Sequence, residues 1–134
     1  MHFRVDITPY VPKVLTAAAA VGVLDIVWFC VARQLVYSSV KPKGSRWYVP
    51  FIYLLVGWAL AMVESDPACE SHENYNRLIA SWGSFVGLLV WGVFNLTYGF
   101  INDQWSLKTM GVDTLWGVMN CLFSILFLSA VKSW

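Results

Sequence analysis

Charged residues are so unevenly placed that they cut this chain into four long apolar stretches, at residues 14–32, 47–63, 78–101 and 109–131. An α-helix rises about 1.5 Å per residue, and roughly 20 residues cross the hydrocarbon of a bilayer. Three stretches match or exceed that length. The second, at about 17 residues, falls short and would need snorkelling by Arg46 or Glu64, or a thinned bilayer. Strands of a membrane barrel would alternate apolar and polar residues over about ten positions. Runs such as Ala17-Ala18-Ala19-Ala20-Val21 and Leu122-Phe123-Ser124-Ile125-Leu126-Phe127-Leu128 do not alternate. Backbone groups in lipid must be satisfied within their own segment, so helices remain. The expectation is an all-α integral membrane protein, an antiparallel bundle of four transmembrane helices in one domain over residues 1–134.

Composition points the same way. Apolar residues make up 58% of the chain and charged ones 13%, about half the charge of a soluble domain. Disorder is excluded by the same imbalance. A net charge of +1 offers no basic surface to nucleic acid. The first stretch carries Asp25 and runs into Arg33 rather than a small-residue cleavage site, so it does not read as a signal peptide. Residues 33–46 form a basic loop with Arg33, Lys41, Lys43 and Arg46. Residues 64–77 form an acidic one with Glu64, Asp66, Glu70 and Glu73. Lys and Arg are nearly balanced between the two sides, and their concentration in the first loop favours that loop on the cytosolic face.

Counted from the ends nearest the basic loop, Asp25 lies about 10 Å deep, Asn95 and Tyr53 about 9 Å, and Asp113 about 6 Å. Antiparallel helices would bring these groups to one level. Charged side chains in lipid are costly and turn toward the bundle interior. Asp113, Gly117, Asn120 and Ser124 share one stripe of the fourth helix, and Ala18, Gly22, Asp25 and Ala32 one stripe of the first. On the third, Ser81, Ser84, Leu88, Trp91 and Asn95 are expected to share a face, with Gly83 and Gly87 as a small-residue contact. Two carboxylates at one depth repel, and the expectation is a shared proton, one acid donating to the other or to Asn95. The cluster reads either as a proton- or cation-linked site or as a hydrogen-bonded clamp holding the helices in register.

Certain motifs resemble those of a known family. Leu24-Asp25-Ile26-Val27-Trp28 resembles its first-helix Asp-x-x-Trp motif. Trp105-Ser106-Leu107-Lys108 and Val112-Asp113-Thr114-Leu115-Trp116-Gly117 resemble its Trp-x-Leu-Lys and Val-Asp-x-x-Trp-Gly signature. Asn95-Leu96-Thr97 stands where the family usually has Asp-Leu-Thr-Asn, so Asn95 replaces an acid and Tyr98 an Asn. The family is the four-helix predicted membrane proteins catalogued as domain of unknown function 2177. The resemblance runs from about residue 14 to 131 and implies the fold. Members occur in bacteria and in large double-stranded DNA viruses, and the viral branch implies a virion membrane protein.

Other signals are weaker. Glu70, His72 and Glu73 read as a solvated loop rather than a metal site. Cys30, Cys69 and Cys121 form no disulfide framework. Trp28, Trp47, Trp105 and Trp116 are expected as interface anchors, Trp28 and Trp116 alternatively as shields of the polar layer. No nucleophile-base pair, phosphate loop or metal cluster stands out, so neither an enzyme nor a cofactor is expected. The functional expectation is a structural multi-pass protein of a viral particle, embedded in its internal membrane and touching capsid proteins through residues 64–77 and 1–13. The alternative is a small cation- or proton-linked carrier or channel component using Asp25 and Asp113.

Overall fold

A computed structural model describes residues 8–38, 49–71 and 73–132. All regular structure among them is helical: a short 3-10 turn at Thr8–Tyr10, then α1 (Val11–Ala32), α2 (Val49–Glu64), α3 (Pro67–Glu70), α4 (Tyr75–Ile101) and α5 (Leu107–Lys132). Pro12 sits in the first turn of α1, where its missing N–H costs nothing. Asp66 accepts the Ala68 N–H and caps the single turn of α3. The α4–α5 turn is built by two caps of the same kind. Asn102 Oδ1 accepts the Gln104 N–H, and Ser106 Oγ accepts the Thr109 N–H at the start of α5.

Three helical segments are long and apolar enough to cross a membrane: Thr8–Ala32, Tyr75–Ile101 and Leu107–Val131. The apolar α2 has 16 residues, only about 24 Å at helical rise. Its outer end does not snorkel as expected. Glu64 is 0% exposed, and Lys13 of α1 donates to its carboxylate at 2.9 Å. Arg46 and Trp47, at the other end of that stretch, lie outside the described residues.

Neighbouring helices run antiparallel, as the order of their contacts shows. Along α1 and α2, Lys13 meets Glu64, Ala18 lies against Gly57 and Gly22 against Tyr53. Along α4 and α5, Gly83 lies against Ile125, Gly87 against Gly117, Asn95 against Asp113 and Gly99 against Met110. A methyl group on Gly87 would meet the Gly117 carbonyl, and one on Gly117 would meet the Trp91 ring. The α4–α5 pair can therefore approach this closely only with glycine at both positions. Toward α4's partners the buried residues are Ile79, Gly83, Gly87, Trp91 and Asn95, four apart throughout. Ser81 and Leu88, expected on that face, are exposed. A four-residue repeat follows one inward stripe, and the glycines, offering backbone to pack against, take the position expected for the serines.

At the end formed by Lys13, Glu64 and Tyr75 the helices start level, since the Tyr75 hydroxyl also donates to Glu64 at 3.1 Å. At the opposite end they do not finish level. From that common base α1 climbs about 28 Å to Ala32, α2 about 22 Å and α4 about 39 Å at helical rise.

Candidate functional site

The stepped ends decide the shape of the polar layer. Depths counted from each helix's own end assumed that the ends coincide. Instead, Asp25 meets Trp116 and Asn120, one and two turns along α5 from Asp113, so it stands one to two turns, about 5–10 Å, below Asp113. The single stratum expected from sequence is two tiers.

In the lower tier Asp25 accepts three donors from two helices. The Tyr53 hydroxyl of α2 donates at 2.8 Å, the Trp116 indole at 3.0 Å and the Asn120 amide at 3.3 Å. Asn120 also donates to the Val21 carbonyl at 3.2 Å and accepts from Ser124 at 3.3 Å. In the upper tier Asp113 accepts the Tyr37 hydroxyl and, at 2.9 Å, the Asn95 amide. The Asn95 amide also donates to the Trp91 carbonyl, and its oxygen accepts the buried Trp105 indole at 2.8 Å. Tyr37 accepts the Trp28 indole at 2.9 Å and stacks on Trp105.

The two Asp-x-x-Trp motifs exchange donors. In antiparallel helices one turn forward on α1 is one turn up, and one turn forward on α5 is one turn down. Trp116 therefore drops from the height of Asp113 toward that of Asp25, and Trp28 rises from Asp25 toward Asp113. Trp116 donates to the other helix's acid directly, and Trp28 reaches its acid through Tyr37. Their rings stack at 4.7 Å with planes 7° apart, and this stack links the tiers.

The two carboxylates do not hydrogen-bond each other. Each has its own shell of indole, phenol and amide donors, and Asn95, expected to accept from an acid, donates to Asp113 instead. Among the described residues no buried side-chain nitrogen or oxygen lacks a partner. None of them form a group of three His, Cys, Asp or Glu able to hold a metal. Trp105, expected at the interface, and Trp28 and Trp116, expected there or as shields of the polar layer, turn their N–H donors inward to an amide, a phenol and a carboxylate oxygen, which when buried need such donors more than the headgroup region does. Gly22, Gly83, Gly87 and Gly117 are all buried at helix contacts.

Two features were missed in the sequence. Tyr37 falls within the basic loop of residues 33–46, yet the turns at 33–38 fold it back until it is 9% exposed. Its neighbours Leu35 and Val36, apolar beyond Arg33, were the available signal. The second is the base of the bundle, where Glu64 gathers Lys13, Ser65 and Tyr75. A charge at a span's edge looks the same in sequence whether it faces water or its neighbours.

Long apolar helices with a polar interior and an apolar exterior define an integral helical membrane protein. Residues 10–129 match the family described as Predicted membrane protein (DUF2177), and the chain belongs to that family. No curated protein matches it, and no solved structure does.

Proposed function

We propose that the chain is a structural, non-catalytic membrane component that crosses the bilayer four times, α2 being the short span. Its proposed place is the internal membrane of a viral particle, where residues 64–77 and 1–13 meet capsid proteins. The observation that carries the structural reading is that the polar layer is consumed by contacts between its own elements. Each acid is enclosed by donors, and an indole N–H donates without accepting a proton in return. The Trp28–Trp116 stack between the tiers therefore offers no proton route from Asp113 to Asp25. The viral placement draws support from the resemblance to a family with a viral branch.

Reconstitution of the wild type, Asp25→Asn and Asp113→Asn in vesicles tests the structural reading. Each amide turns an N–H₂ toward existing donors, so both variants are expected to lose about 1–2 kcal/mol of stability, with no pH-driven flux in any of the three. Flux in the wild type that Asp25→Asn abolishes while the helices survive would establish the carrier instead. For placement, protein mass spectrometry of purified particles is expected to find the chain at fixed stoichiometry to capsid protein, and its absence would remove the viral assignment.

A further inference from the structure

The uneven end of the bundle has a consequence for the lipid around it. Ile101 stands about 10 Å higher along the helix axes than Ala32 and about 16 Å higher than Val49. The raised tip of the α4–α5 hairpin is apolar. Phe100 is 90% exposed, Leu107 83%, Leu96 71% and Ile101 70%. Polar residues begin only in the turn, at Asn102, Asp103 and Gln104, and the long stem of Lys108 lets its charge reach outward from beside Leu107. At α1 the exposed Arg33 and Gln34 mark the polar boundary well below that height. On α2 the uppermost large apolar side chain exposed is Phe51.

We infer that the hydrophobic belt is oblique: acyl chains of the basic-loop leaflet cover the tip of the α4–α5 hairpin, while the same leaflet is drawn down beside α2. The α2 half of this inference rests on the four-span reading. Acyl chains suit the tip because its exposed surface is a continuous apolar band along two lipid-length helices, ending in a polar turn and a snorkelling lysine. A short apolar helix beside long ones is accommodated by local thinning at modest cost.

The test places a spin label at Leu107→Cys, Phe100→Cys, Phe51→Cys and Leu55→Cys, one at a time, in the full chain carrying Cys30→Ser. All four positions are more than half exposed. Each variant is reconstituted in phosphatidylcholine vesicles, and collision with oxygen, which concentrates in hydrocarbon, is compared with collision with a water-soluble nickel chelate. The expected result is oxygen favoured several-fold at Leu107 and Phe100. Phe51 should read closer to water than Leu107 although it sits lower in the bundle. A flat leaflet would reverse that order and overturn the inference. So would nickel access at Leu107, or access by neither reagent, which would mean that protein covers the tip. Leu55, mid-way along α2, separates the two claims. Nickel at Leu55 with oxygen at Leu107 ends the four-span reading and keeps the reach of α4–α5, whereas the opposite pattern ends the oblique belt and keeps four spans.

Discussion

Tyr37 spends one hydroxyl twice, accepting from Trp28 and donating to Asp113. Tyr53 gives Asp25 only one of its three donors. Tyr37→Phe is therefore expected to cost about 1–2 kcal/mol, because an indole N–H and a carboxylate oxygen lose partners together, and Tyr53→Phe about half as much. Unfolding in mixed micelles measures both. Alkali should separate them further. Burial first, and then the Asp113 carboxylate, push the Tyr37 phenol above its ordinary range. A group whose value is raised by folding contributes fully below its unfolded value, about 10 for tyrosine, and loses that contribution as the pH rises beyond it. The wild type should lose more stability than Tyr37→Phe between neutral pH and alkali. Equal losses would mean that Tyr37 is not held neutral by the fold.

At the scale of helices, glycine has two opposite meanings in this chain. Gly87 and Gly117 sit where backbone meets backbone or ring, and Gly111 has nothing within 4 Å of an added methyl group. Gly87→Ala and Gly117→Ala should each destabilise by about 1–3 kcal/mol through overpacking. The double variant should cost less than their sum, because both push the same two helices apart. Gly111→Ala should stabilise α5 by up to about 1 kcal/mol through propensity alone. Thermal unfolding of the four variants in one detergent reads all of these. The small-residue stripes were legible in sequence because spacing fixes which residues share a helix face. The choice between overlapping stripes was not. Ser84 lies about 60° around the axis from Gly87, while Ser81 and Leu88 lie about 100° or more from both glycines, and contact with α5 turns the glycine stripe inward.

Across the whole molecule, the pair of Lys13 and the fully buried Glu64 fixes the level from which every helix is measured. Lys13→Met removes the cation beside that carboxylate, and should cost about 3 kcal/mol, toward the low end for a broken buried pair since Lys13 is partly exposed. Lys13→Met with Glu64→Leu should recover most of the loss, because the uncompensated charge goes with its partner. No recovery in the double variant would show that the pair does more than neutralise itself.

Apolar length, the scarcity of charge and runs that do not alternate pointed, from sequence alone, to a helical chain in a membrane, since lipid leaves the backbone only helices or closed barrels. The same residues named both buried acids and most of their partners. Height could not be read that way. Counting along a helix gives distance from its own end, and where that end stands relative to its neighbours depends on side chains meeting across the bundle. The ion pair at the base, the glycine contact of α4 with α5 and the inward turn of Tyr37 set those offsets. They turned one expected layer into two tiers joined by a pair of stacked indoles.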